Sequence, residues 1–88
     1  MISEKEKKRL EIEYPTDWRY KIIGDDFDRM LLTINEIVDQ YNSGLAPSNI
    51  SRKGNYISLN LTVLVENEIV RNEIYEQLMS NPSIKIVF

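Results

Sequence analysis

The 88-residue chain contains no cysteine and no histidine. The first absence excludes disulfides, thiolate chemistry and zinc sites with cysteine ligands. The second removes the commonest general base and the commonest transition-metal ligand. No apolar run approaches the ~18 residues that a membrane-spanning helix needs, and no signal-peptide segment follows Met1. We therefore expect a cytoplasmic protein with no metal site and no cofactor.

Basic charge is also scarce in this chain. Eleven lysines and arginines stand against fourteen acidic residues, which gives a formal net charge of −3. Nucleic acids and anionic membranes attract proteins that carry a basic excess, so both are disfavoured as partners. A chain of this length forms one domain around one hydrophobic core.

The clearest pattern is a strict alternation of apolar and polar residues that follows a Lys-Gly turn. The odd positions from 57 to 65 are apolar, and the even positions from 56 to 62 are polar. This is the period of a strand with one buried face. Residues such as Ser58 and Asn60 seldom enter a core without hydrogen-bond partners. The pattern therefore predicts a sheet with one covered face and one polar, open face.

The remaining elements follow from helical periodicity and from turn residues. Apolar spacing predicts a helix over 27–41, which Gly44 ends in a left-handed cap, and a second helix that Asn67 caps and positions 80–82 stop. Strands are predicted at 18–23, 47–52, 55–65 and 84–88. The order β-α-β-β-α-β is typical of the ferredoxin-like α+β fold, with four mostly antiparallel strands and both helices on one face of the sheet. Residues 1–13 are expected to form a charged, flexible arm, and residues 14–88 the domain.

The predicted core consists of the side chains that these patterns turn toward the helices. They are Trp18, Tyr20, Ile22, Phe27, Leu31, Ile34, Val38, Ile57, Leu59, Leu61, Val63, Ile74, Leu78, Ile84 and Ile86.

Three short motifs carry a resemblance to a known family. They are YPTDWRYKIIG at 14–24, SRKGNYIS at 51–58 and NPSIK at 81–85. Together they resemble the bacterial YbeD-like family over nearly the whole domain. The resemblance implies a ferredoxin-like fold similar to the ACT regulatory domains of amino-acid metabolism, and the biochemical role of the family is essentially unassigned. In one departure, this chain has Trp-Arg-Tyr where family members often have Phe-Pro-Ile.

Two loops contain candidate binding residues. Asp25 and Asp26 lie at a strand-to-helix junction, where ACT domains place their effector, and the alternative is that they only cap the helix. Arg52 and Lys53 lie at a predicted hairpin tip. They can present two cations to a phosphate or a carboxylate, or they can simply be solvated.

The open face of the sheet holds the remaining candidates. We expect Lys21 to lie beside Asn60 or Ser58 on the central strands, with Tyr56 near one end and Lys85 on a flanking strand. Either another surface docks there or water covers these residues. RNA-recognition domains share this topology but need stacking aromatic residues at several central positions, and only Tyr56 qualifies here.

No catalytic constellation is present. Ser51 and Ser58 have no histidine to activate them, and acidic residues occupy the loop in which acylphosphatases need a basic, glycine-rich cradle. We therefore expect a non-enzymatic regulatory or adaptor module that acts through a protein partner or a small metabolite. The alternative is weak single-stranded nucleic-acid binding across the open face. The chain is expected to be a monomer or a weak homodimer, with Pro47 and Lys85 opposing edge-to-edge strand pairing.

Overall fold

The computed structural model describes residues 12–50 and 56–88. Its elements are β1 (Thr16–Gly24), α1 (Phe27–Val38), β2 (Ser43–Ile50), β3 (Ile57–Val65), α2 (Glu68–Met79) and β4 (Ile84–Val87). The sheet has the strand order β2-β3-β1-β4. This is the predicted ferredoxin-like α+β fold, which is thereby confirmed. Most of the predicted arm, residues 1–11, lies outside the described residues.

All described strand pairs are antiparallel, and β1 and β3 form the central pair. Their register runs without interruption from Thr16↔Val65 to Gly24↔Ile57. Lys21 is directly opposite Asn60, as predicted. The alternation that the sequence shows over β3 therefore applies to both central strands, because paired residues in a sheet point to the same face.

Both helices begin at the predicted N-cap residues. The Asp26 carboxylate accepts a hydrogen bond from the Arg29 N–H at 3.1 Å, and the Asn67 side chain accepts one from the Val70 N–H at 2.9 Å. Each cap satisfies a main-chain donor that has no partner within the helix.

The predicted end of the first helix is wrong. α1 stops at Val38, and Gly44 lies within β2 opposite Thr62. No described glycine has a positive φ, so Gly44 is not a left-handed cap. The chain reaches the sheet earlier than predicted, because the carbonyl of Asn42 already accepts a hydrogen bond from the Leu64 N–H at 2.9 Å.

The core lies between the covered face of the sheet and the two helices. Most of the predicted core residues are buried, while Trp18 and Ile57 pack against the core half-buried. Leu31 was predicted to be a core residue, but it is only half-buried and is not part of the core. Met30, Val65 and Val87 are also buried, although they are absent from the predicted core.

Two predicted core residues, Phe27 and Ile86, are exposed instead. Phe27 occupies the first position of α1, and Met30 one turn later fills the space against Gly24. In β4, the register shifts between Ile23 and Gly24, so that Lys85 is an additional residue in the edge strand. This bulge turns Ile86 onto the open face.

Candidate functional site

The second face of the sheet carries no helix among the described residues. It is formed by the side chains that alternate with the buried ones along each strand. On the two central strands these are Asp17, Arg19, Lys21 and Ile23 of β1 and Ser58, Asn60, Thr62 and Leu64 of β3. We call this surface the open face.

A shallow depression of about 500 Å³ lies on the open face above β2. It exists because β2 contributes only Gly44 and Ala46 to this part of the face, opposite Thr62 and Asn60. A Cβ placed on Gly44 would meet no atom within 4 Å. Arg19 completes the wall of the depression. The result is a broad, solvent-exposed notch with polar walls and a floor of main chain and small side chains.

The central strands give the open face a net positive charge, although the whole chain is acidic, because Arg19 and Lys21 outnumber Asp17. Arg19 and Lys21 are both exposed, and neither forms an ion pair with another described residue. The acidic residues of the regular helices, in contrast, lie in the other layer of the sandwich. These are Asp28 and Glu36 of α1 and Glu68, Glu73 and Glu76 of α2. A partner that approaches the open face around Arg19 and Lys21 therefore meets positive charge.

An apolar strip borders the cationic part of the open face. Ile23 of β1 is paired with Ile86 of β4 across the sheet. Ile86 is 45% exposed, and Tyr56, which precedes β3, is 55% exposed. The β4 bulge creates this strip by directing Ile86 away from the core. These residues add a small apolar area to an otherwise polar face.

The other candidates predicted from the sequence have local contacts. Asp26 caps α1, and the Lys85 ammonium lies 3.0 Å from the Pro82 carbonyl and 3.6 Å from the Asp25 carboxylate. The capping alternative describes Asp26 alone, since Asp25 forms an ion pair with Lys85 instead. Ligand binding by these residues stays a prediction. Arg52 and Lys53 lie outside the described residues. The structure thus brings Lys21 and Asn60 together on the open face, with Tyr56 at its end.

A second cluster, which the sequence did not predict, lies at the outer edge of β1. The Arg71 guanidinium of α2 stacks 4.4 Å from the centroid of the Trp18 ring. The Tyr20 hydroxyl donates a hydrogen bond to the Arg71 carbonyl at 2.7 Å. Burial of this phenol raises the pKa of Tyr20 to about 12. Arg71 belongs to an amphipathic helix far along the chain, so no local pattern indicated its position over Trp18.

Neither a metal centre nor a membrane helix is found in residues 12–50 and 56–88. Within those ranges no three histidine, cysteine or acidic side chains are close enough to hold an ion. Neither α1 nor α2 has the length and apolar character needed to cross a membrane.

The family follows from comparison with known sequences. The sequence model described as "Protein of unknown function (DUF493)" matches residues 10–88. The chain belongs to this family. A UPF0250 protein of Janthinobacterium sp. (strain Marseille) is 31% identical over 90 residues, which cover 98% of this chain and 99% of that protein. A UPF0250 protein of Bordetella pertussis is 31% identical over 80 residues, or 86% of this chain and 88% of that protein. The predicted YbeD-like resemblance is thereby confirmed.

A solved structure supports the same assignment to the DUF493 family. The solution structure of protein HP0495 from Helicobacter pylori superposes with a TM-score of 0.82 at 28% identity, and covers 89% of this chain and 86% of that one. The DUF493 and UPF0250 descriptions state no enzymatic activity.

Proposed function

We propose that this member of the DUF493 family is a non-enzymatic regulatory or adaptor module that binds a partner across the open face. The observation that supports the proposal is the net positive charge of the open face, where Arg19 and Lys21 outnumber Asp17, on the side of the sheet opposite the acidic helices. Such an arrangement favours an acidic or polar partner surface, steers its approach and sets its orientation.

The shape of the open face favours a protein over a metabolite as the partner. Small-molecule sites are usually concave and mostly apolar, and they bury most of the ligand surface. The depression beside Arg19, Asn60 and Thr62 is shallow and has polar walls. Gly44 and Ala46 leave room above β2 for a protruding side chain, and the Ile23–Ile86 strip offers apolar contact. These features suit an extended protein surface.

Two side chains among the described residues, Tyr20 and Ser58, are poorly suited to catalysis, which supports a non-enzymatic role. Burial raises the pKa of Tyr20 to about 12, away from the neutral range in which an acid–base catalyst works. The Ser58 hydroxyl has no hydrogen-bond partner among the described residues, and therefore no base beside it that could activate it.

Affinity capture with a charge-reversed variant tests the proposal. The tagged protein and its Lys21→Glu variant are used to recover partners from a bacterial lysate. Arg29→Glu is the matched control, because it makes the same change of charge at a side chain of α1 that is 77% exposed. We expect Lys21→Glu to lose a partner that wild type and Arg29→Glu both retain. Equal recovery by all three proteins would contradict binding across the open face.

A thermal-shift screen tests the metabolite form of the same proposal. Amino acids, nucleotides and cofactor precursors are added to wild type and to Lys21→Glu. A ligand present at 100 times its Kd stabilises a folded protein by ~2.7 kcal/mol. A shift that is present in wild type and absent in Lys21→Glu would identify a metabolite as the ligand of the open face. A flat screen together with a captured protein would favour the adaptor role.

Single-stranded nucleic-acid binding is a second candidate, and the exposed Arg19 and Lys21 on the same face as Tyr56 favour it. The predicted site also includes Lys85 and the hairpin residues Arg52 and Lys53. Base stacking contributes ~1–3 kcal/mol per aromatic platform, and Tyr56 is the one platform that the described part of the face offers. Gel shifts at low salt should therefore show only weak, non-saturating binding. Micromolar, salt-sensitive binding that Tyr56→Ala abolishes would reverse this ranking.

A further inference from the structure

β4 covers only part of the outer edge of β1. The two strands pair from Ile22 to Gly24, and Phe88 exchanges two main-chain hydrogen bonds with Lys21, at 3.3 and 2.9 Å. Residues 16–20 of β1 are paired with β3 alone among the described residues. Main-chain groups alternate between the two sides of an antiparallel strand. The N–H and C=O groups of Asp17 and Arg19 therefore point away from β3, as those of Lys21 do. They face the position that a longer β4 would occupy.

A cleft of about 300 Å³ lies beside this edge, on the covered side of the sheet. Its floor is formed by Trp18 and Tyr20 of β1, and Tyr75 of α2 forms part of its wall. Arg71, Asn72 and Phe88 complete the lining. Residues of α2 line the cleft together with residues of β1. The helix therefore lies above the position that a longer β4 would occupy.

We propose that this edge of β1 is a strand-addition site for an extended peptide segment of a protein partner. The segment runs in the direction of β4 and forms main-chain hydrogen bonds with Asp17 and Arg19. Its residue opposite Arg19 is acidic and lies on the open face. The residues on either side, opposite Trp18 and Tyr20, are apolar and enter the cleft. Main-chain bonds supply affinity and alternate side chains supply specificity, as in other cases of β-augmentation.

The cleft favours a single peptide strand, rather than a second copy of the chain, as the occupant of the β1 edge. Pairing of two β1 edges about a twofold axis would bring a second copy of α2 to the same side of the joined sheet, next to the α2 that already lines the cleft beside Trp18. We expect the two helices to compete for that space. A peptide brings no helix with it. This site uses the main chain of β1 and the flank of α2, so it goes beyond the open-face proposal and does not depend on it.

An intramolecular test extends the chain by four residues. Appending Val-Glu-Val-Lys after Phe88 continues the β4 register, with the two valines opposite Tyr20 and Trp18 and the glutamate opposite Arg19. We expect the amide hydrogens of Asp17 and Arg19 to exchange about tenfold more slowly or better, because they become hydrogen-bonded. Two extensions serve as controls. Val-Pro-Val-Lys lacks the N–H opposite Arg19, and Glu-Val-Lys-Val directs the charged residues into the cleft. Equal exchange rates in all the extended proteins would overturn the proposal.

A binding test uses the synthetic peptide acetyl-Val-Glu-Val-Lys-amide. Titration into the isotope-labelled full chain should produce saturable NMR shifts at the amides of Asp17, Trp18 and Arg19. The Tyr75→Ser variant removes one wall of the cleft at a residue that is 42% exposed, so it should fold and lose this binding. Tyr56→Ser, at the far end of the open face, should retain it. Shifts confined to Asn60 and Thr62, or unchanged affinity in Tyr75→Ser, would refute the site and leave the capture experiment with Lys21→Glu unaffected.

Discussion

The two faces of the sheet are made from alternate residues of the same strands, and they differ in what determines their composition. On the covered face Leu59, Leu61 and Val63 are almost fully buried against the helices, so packing restricts each position. On the open face Asn60 and Thr62 pack against no described element. Packing therefore does not determine which side chains occupy the open face. Functional residues are to be sought there rather than on the covered face.

The largest expected difference between the faces is between adjacent residues of β3. Leu61→Ala should destabilise the protein by about 2–5 kcal/mol, because it leaves a cavity in the core. Asn60→Ala is the matched control and should change stability by less than ~0.5 kcal/mol, as is usual for surface sites. Urea unfolding of both variants measures the difference. A Leu61→Ala midpoint equal to that of wild type would contradict the assignment of the covered face.

Gly24 and Gly44, the two glycines among the described residues, differ in how closely other atoms pack around them. A Cβ on Gly24 would lie 2.5 Å from the Met30 sulfur and also collide with the Ser83 carbonyl, so Gly24→Ala should cost about 1–3 kcal/mol. Gly44→Ala projects into open space and should be neutral or stabilising by up to ~1 kcal/mol. Thermal unfolding tests the pair. A larger loss for Gly44→Ala than for Gly24→Ala would show that the depression is part of the packed structure.

Tyr20 provides a pH-dependent test of the covered face. Tyr20→Phe removes the hydrogen bond to the Arg71 carbonyl and should cost ~0.5–1.5 kcal/mol at pH 7. Because burial raises the pKa of Tyr20 from 10.0 to about 12, the folded state holds this proton more tightly than the unfolded state does. The stability that depends on this proton is fully present below pH 10 and is lost as the pH rises from 10 to about 12. Urea midpoints measured across that range should fall less steeply for Tyr20→Phe than for wild type.

The smallest effect is expected at the border of the open face. Asp25 and Lys85 are both about half exposed and 3.6 Å apart, so their coupling should be ~0.2–1 kcal/mol and should weaken with salt. A double-mutant cycle with Asp25→Asn and Lys85→Gln measures it. A coupling unchanged in about 1 M salt would mean that the pair is shielded from solvent.

The fold was predictable because its strongest signals are periodic. The alternation over β3 identified the covered face, Asn67 was correctly identified as an N-cap, and Asp26 was one of the two N-cap candidates named for the first helix. The wrong predictions concern positions at which the sequence has no periodic pattern. The bulge at Lys85 depends on pairing with β1, and Gly44 was misassigned because glycine occurs both at helix ends and in strands.

The open face was predictable in outline, because Lys21 and Asn60 follow from strand order and alternation. The edge cleft was not predictable. Its contact between Trp18 and Arg71 joins elements that are distant in the chain, and an arginine on an amphipathic helix has the same pattern whether it faces solvent or an aromatic ring.

The strand order also has a kinetic consequence. The central pair, β1 and β3, is separated in the chain by α1 and the whole of β2, so the contact between Tyr20 and Leu61 requires closure of a long loop. The entropy of that closure is lost before the core can compensate for it, which raises the folding barrier above that of a helical bundle. Since β1 is the one described strand with which β4 pairs, β4 should join the sheet after β1 is ordered. Leu61 should therefore influence the rate of folding, and Val87 mainly the rate of unfolding.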